Sequence, residues 1–236
     1  AGNWSSHVGS PASFPLQLDV LTDLEPIALL PMAPTVIVGR KGLPANDLRE
    51  LIAWLKANPG KATSGTNGAG SPSHVSAIYF QNETGTQLQF VPYRGGAALT
   101  QAIVAGEIDL RVGAEASQTL QYVRKGDIKA FAVLGERRWQ AAPEIPTIDE
   151  AGVRGLHISL WNGLWAPKGT PKEIVAKLNA AVVEALATTS VQQRLAEIGF
   201  EIPVREQQTP EGLAAFHRAE AARWWPVIKA AGIKVE

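Results

Sequence analysis

Between Ser64 and His74 the chain reads Ser-Gly-Thr-Asn-Gly-Ala-Gly-Ser-Pro-Ser-His, a glycine-rich turn that must run straight into a helix. Pro72 suits the first helical position, where a missing N–H costs nothing. Ser71 stands where an N-cap belongs. The helix expected over 75–82 then aims its unpaired N–H groups at whatever fills the turn, which makes an anion site. The turn is not a P-loop, because no Lys-Ser/Thr pair follows its last glycine. A second turn repeats the plan: a strand over 88–92, then Tyr93-Arg94-Gly95-Gly96, then a helix over 97–105 closed by Gly106. Two such turns in one lobe can direct two sets of amide donors at one anion. Tyr93 adds a hydroxyl, and Arg94 reads equally as a charge at the site or as a solvated cation. Gly/Ser turns before helices also serve as plain loops, so the pattern alone assigns no function.

The rest of the chain keeps this rhythm. A short strand is expected at 36–38 and a helix over 48–57, stopped by Asn58-Pro59-Gly60. A strand over 108–112, a helix over 116–123 and a strand over 129–134 follow. From about 40 to 135 the alternation predicts an α/β fold with a parallel or mixed sheet. Thr147…Glu150 and Thr170…Glu173 both match the capping box. The second is expected to open an amphipathic helix over 173–187 with Ile174, Val175, Leu178, Val182 and Leu186 on one face. Thr209-Pro210-Glu211 opens a last helix to about 230, where Trp224-Trp225 reads as packing. Trp161-Asn162-Gly163 lies in an apolar run ending at Pro167 and reads as a buried crossover strand, with Trp161 as a wall.

Composition removes several functions. Lys+Arg and Asp+Glu are balanced at 22 each, without a basic stripe, which argues against nucleic acid as a partner. The absence of cysteine excludes thiol catalysis, disulfides and thiolate metal sites while leaving the compartment open. His7, His74, His157 and His217 are scattered without ligand spacing, so neither a metal nor a cofactor is expected. No apolar run reaches the length of a bilayer span, and no signal-peptide pattern is present.

Catalytic patterns are equally thin. There is no G-x-S-x-G elbow, and Gly68-Ala69-Gly70-Ser71-Pro72 has the wrong order. Ser71 and His74 are three apart at one helix start, a spacing that supplies no base aligned by an orienting acid. Glu107 and Asp109 would point to opposite faces of a strand. Asp149-Glu150 reads as cap chemistry. Asp19, Asp23 and Glu25 read as a solvated loop. Asn3, Ser5, Ser6 and His7 form a polar cluster whose default reading is an exposed terminus.

Several segments resemble one family in order. Val91-Pro92-Tyr93-Arg94-Gly95 is similar to the V-P-Y-K-G motif of the Bug family, the periplasmic solute-binding proteins of tripartite tricarboxylate transporters. Gly68 to His74 resembles that family's G-x-G-S-x-x-H turn. Pro143 to Gly152 resembles its P-x-v-P-T-x-x-E-a-G stretch, and Ser159 to Pro167 its s-x-W-x-G-l-x-a-P crossover. The resemblance implies a periplasmic-binding-protein type II fold: two α/β lobes joined by two crossover strands, with lobe 1 over 1–40 and 160–236 and lobe 2 over 41–159. It implies a small carboxylate held between the lobes by backbone amides, hydroxyls and waters rather than by an arginine clamp. The membrane subunits of the transporter are the implied partner. It also implies a periplasmic location, with the leader already removed. Carried over by position, the ligand-binding residues are Gly70, Ser71, Ser73, His74, Tyr93 and Gly95 in lobe 2, Asn3, Ser5, Ser6 and His7 in lobe 1, and Trp161 and Asn162 at the crossover. The family's usual opening strand, P-F-x-x-G-G loop and helix have no counterpart before Asn3. The expectation is therefore of a first lobe lacking its opening βαβ portion, whose exposed sheet edge invites oligomerisation. Two other classes stay open: an α/β hydrolase using Ser71 and His74, and a sensory module that binds the same acids and contacts a signalling partner.

Overall fold

The computed structural model describes residues 1–233. The chain forms two compact units, Ala1–Ala33 with Leu160 onward, and Pro34–Ser159, so it passes from one to the other twice. The division falls at 33/34 because the strand Ala33–Arg40 pairs with Leu110–Glu115 and Ile128–Val133, both in the second unit. The range 160–236 expected for the first lobe runs past the described residues.

The second unit is built on a mixed sheet with strand order Leu88–Pro92, Ala62–Thr66, Leu110–Glu115, Ala33–Arg40, Ile128–Val133. Ala62–Thr66 pairs in parallel with Leu88–Pro92 and with Leu110–Glu115, whereas Ala33–Arg40 runs antiparallel to its neighbours. The helix Pro72–Thr84 connects the first two strands of that order. The helix Gly96–Ala105 then carries the chain back across Ala62–Thr66 to Leu110–Glu115. Right-handed crossovers put the helix leaving Ala62–Thr66 and the helix Ala116–Arg124 leaving Leu110–Glu115 on opposite faces. The strand ends between them form a switch point, where open α/β sheets bind ligands. Val36, Val38, Leu99, Ile103, Ile108, Ala114 and Trp139 close the core under this sheet.

Polar ties fix the register. Asp109 accepts from Thr63 N at 2.8 Å and pairs with Arg40 Nε at 2.8 Å, so the strand expected from 108 starts at Leu110 and runs on to Glu115. Burial alone would raise the Asp109 pKa, but its bonds to Thr63 and Arg40 outweigh that and hold it below the ordinary carboxylate range. Thr147 and Glu150 make the reciprocal bonds of a capping box, at 2.8 and 3.2 Å, yet they close a turn and no helix follows.

The first unit has a three-stranded antiparallel sheet, Gly2–Asn3, Asn162–Pro167 and Leu24–Leu29, with Asn162–Pro167 in the middle. Glu25 thus lies in a strand rather than in the expected loop, and it accepts from Gly169 N at 3.1 Å. The helix expected from 173 is Lys172–Ala187, but Thr170 does not cap it: its hydroxyl donates to Pro167 O at 2.7 Å, and Pro171 takes the cap position. Its inward face is Val175, Asn179, Val182 and Leu186, because Asn179 donates to Ile27 O at 2.8 Å and Gln208 O at 2.6 Å. Ile174 and Leu178, expected on the buried face, stay exposed on the flank. Thr209 caps the last helix, Pro210–Ala230, through Gly212 N at 3.0 Å. Trp224 is buried there, edge-on to Trp4, and Trp225 donates to Val8 O at 3.1 Å.

Candidate functional site

The glycine-rich turn sits at the end of Ala62–Thr66, a strand the sequence reading did not assign. Ser71 is the N-cap of Pro72–Thr84, and its hydroxyl accepts from His74 N at 3.3 Å and donates to Gly68 O at 2.7 Å. Ser73, buried, accepts from Asn67 N at 3.0 Å and lies 3.2 Å from the Ser71 hydroxyl. Gly70 donates its N–H to His74 Nδ1 at 3.2 Å. That bond puts the ring proton on Nε2, so His74 offers a neutral N–H donor, and burial lowers its pKa in the same sense. Phe90 packs edge-on against the ring at 4.9 Å between centroids.

The second turn is tied to the first. Tyr93 N donates to Thr66 O at 2.8 Å, extending the parallel pairing of the two strands into the turns. Gly95 caps the next helix with φ 98° and ψ 160°, a conformation open essentially to glycine alone. Among the described residues no side-chain bond caps that helix, so its first N–H groups remain available to an anion. Arg94 is exposed.

Gly70, Ser71, Ser73, His74, Tyr93 and Gly95 are thus drawn together by two adjacent strand ends. The sequence reading missed Asn67 and Arg111 beside them. Arg111 is 3 % exposed, and its Nη2 donates to Asn67 Oδ1 at 3.3 Å. Burial depresses the guanidinium to about 10, opposed by the charge of Glu115. Two charged residues, Asp109 and Arg111, alternating with Ile108, Leu110 and Val112 in a strand-like segment were the available signal.

The other six expected residues belong to the first unit. Asn3 and Ser6 bond each other reciprocally, Asn3 N to Ser6 Oγ and Ser6 N to Asn3 Oδ1, both at 3.0 Å. Ser5 is exposed, and Asn162 pairs with Asn3 in the sheet. His7 is buried, stacks on Trp165 at 4.0 Å, and lies 5.2 Å from His217, between ring centroids. A Cβ at Gly2 would overlap the His7 ring. His217 Nε2 meets His7 O at 3.0 Å. Burial first, then the nearby His217, lowers the His7 pKa to about 4, so the pair is neutral and brings no charge to an anion. Trp161, expected as a wall, is 1 % exposed, and its indole donates to Glu220 Oε2 at 2.9 Å. Burial raises the Glu220 carboxyl above its ordinary range.

The geometry supplies no activated nucleophile. The Ser71 hydroxyl is engaged with Gly68 O and His74 N, and His74 Nδ1 is engaged with Gly70 N. No carboxylate orients the imidazole among the described residues. A nucleophile needs all three parts.

Comparison with known proteins agrees over nearly the whole chain. Residues 6–233 match the family described as "Tripartite tricarboxylate transporter family receptor". A UPF0065 protein in the TAR-I ttuE-ttuC' intergenic region of Agrobacterium vitis is 35% identical over 90% of this chain and 61% of its own length. BugT of Bordetella pertussis is 31% identical over 92% of this chain and 65% of its own. The chain thus spans about three fifths of the length of such curated relatives. Among solved structures, MatC from Rhodopseudomonas palustris with bound malate is 33% identical, with a TM-score of 0.84 over 96% of this chain and 77% of that one. A second R. palustris protein, with adipate, is 31% identical, with a TM-score of 0.87 over 99% and 77%. The periplasmic binding protein BugD gives 30% identity and a TM-score of 0.84 over 98% and 77%. These likenesses establish the periplasmic-binding-protein fold expected from the motifs, and the chain belongs to the tripartite tricarboxylate transporter receptor family.

Proposed function

We propose that this chain captures a small carboxylate in the periplasm and delivers it to the membrane subunits of a tripartite tricarboxylate transporter. The observation that carries the reading is the pair of helix N-termini at the sheet's switch point. One is dressed with Ser71, Ser73 and the His74 ring, and the other has no side-chain cap; the 2.8 Å bond from Tyr93 N to Thr66 O joins their turns. Backbone amides and neutral N–H and O–H donors suit a carboxylate that must later be released. Solved relatives with malate and with adipate support acids of that class. Binding is the activity, since Ser71 lacks a base. A thermal-shift screen against mono-, di- and tricarboxylates and aromatic acids tests this. A ligand at one hundred times its dissociation constant adds about 2.7 kcal/mol, which raises the midpoint of a chain of this size by about 5–10 °C. A cooperative transition unmoved by every acid refutes the reading.

A further inference from the structure

The buried guanidinium of Arg111 reaches from the second residue of Leu110–Glu115 to the turn that follows Ala62–Thr66, and its hydrogen bonding is incomplete. Arg111 stands in Leu110–Glu115, and the residue it touches, Asn67, directly follows Ala62–Thr66. Its contact with Asn67 Oδ1 is long, at 3.3 Å, and that oxygen also accepts from Ser73 Oγ at 3.3 Å. Nε and Nη1 are buried and have no hydrogen-bond partner among the described residues. Glu115, the carboxylate that favours its charge, is engaged by Ser117 Oγ at 2.8 Å and Gln118 Nε2 at 2.9 Å. A guanidinium removed from water with most of its fork unfilled is costly. It is also a planar bidentate donor matched to carboxylate geometry.

We propose that Arg111 is the cationic anchor of the ligand: a solute carboxylate displaces the long Asn67 contact from Nη2 and takes Nη2 together with one of the two unpartnered nitrogens beside it, Nε or Nη1. This rests on the carboxylate-capture reading and deepens it. The amides and hydroxyls of the turns orient the acid, and Arg111 makes its negative charge obligatory. The chain therefore discriminates against the amide of the same acid, because an amide leaves the buried cation uncompensated.

The test uses calorimetry on the wild-type chain, Arg111→Met and Asn67→Asp. The probes are the tightest-binding acid of the panel, its amide counterpart and sodium sulfate. Truncating one partner of a buried charge pair weakens binding by about 30-fold or more. Arg111→Met should lose that much affinity for the acid and little for the amide. Asn67→Asp gives the guanidinium an internal carboxylate. It should weaken acid binding by a similar factor while raising the melting temperature, so the test survives if Arg111→Met does not fold. A loss of less than about tenfold in the folded variants overturns the proposal. If no acid binds the wild-type chain but sulfate stabilises it and not Arg111→Met, the anion site stands and the carboxylate reading falls. If neither acid nor sulfate acts, both are overturned.

Discussion

Replacing Ser71 by Asp separates what the residue does for the helix from what it does for a ligand. The Ser71 hydroxyl makes two hydrogen bonds within the turn, to His74 N at 3.3 Å and to Gly68 O at 2.7 Å. Ser71→Ala loses both. An N-cap is worth about 1 kcal/mol and the Gly68 bond about 1 kcal/mol. The melting temperature should fall by roughly 4–8 °C at 2–4 °C per kcal/mol. Ser71→Asp keeps an acceptor for His74 N and adds a negative charge at a helix N-terminus, which is favourable by about 0.3–1 kcal/mol. An ionised carboxylate cannot donate to Gly68 O, so that bond of about 1 kcal/mol is lost, and the variant's stability should lie above that of Ser71→Ala and at or slightly below wild type. The same charge would sit beside the bound anion. At about 5 Å and an effective dielectric of about 20–40, the repulsion is about 2–3 kcal/mol, or a loss of about 20- to 200-fold in affinity. Differential scanning calorimetry and ligand titration of the three proteins read the two effects independently. A stable Ser71→Asp chain that binds acids as well as wild type refutes the assignment of this helix N-terminus to the ligand.

Other consequences follow from the same contacts. Asp109→Asn breaks the tie to Arg40 and weakens that to Thr63, and should lower stability by about 1–3 kcal/mol in urea titrations at neutral pH. Because the folded Asp109 pKa lies below its ordinary value, its contribution is present at neutral pH and is lost as pH falls through that lowered value. Histidine acts at higher pH. His7 is held at about 4, and His74 and His217 are lowered in the same direction, so the unfolded chain binds more protons between about pH 6.5 and 4 and stability should fall across that window. His7→Gln should flatten the slope of urea midpoint against pH; an unchanged slope refutes the buried neutral ring. Gly95→Ala meets no neighbouring atom within 4 Å, so its cost is backbone strain alone, about 1–3 kcal/mol in a thermal melt.

Local chemistry was legible in the sequence, and long-range chemistry was not. Leu88–Pro92, Leu48–Ala57 and the Ser71 cap were readable because each is specified by residues within one turn or one strand of itself. The Thr170 box failed on the same scale: Pro167 O lies close enough to take the threonine hydroxyl, so a matching pattern met a better local acceptor. The inward face of Lys172–Ala187 was misjudged because an asparagine there is held by two carbonyls from distant segments, which no count of apolar positions reports. Asn67 and Arg111 meet 44 residues apart, and their contact depends on the strand order that sets Ala62–Thr66 beside Leu110–Glu115.

The same distinction explains why half of the expected binding residues look different once folded. His7 and His217 are 210 residues apart, and only the folded first unit stacks His7 on Trp165 and sets His217 edge-on to Trp161 and Trp165. Read along the chain, Asn3, Ser5, Ser6 and His7 are a run of donors. In the structure, Asn3 and Ser6 bond each other, and burial strips His7 of its charge while leaving its Nε2 without a hydrogen-bond partner among the described residues. The second unit carries the same mark on a charged group. There the turns leave amide donors and a buried cation incompletely satisfied, and incomplete satisfaction in a well-packed protein is the physical mark of a site that binds something else.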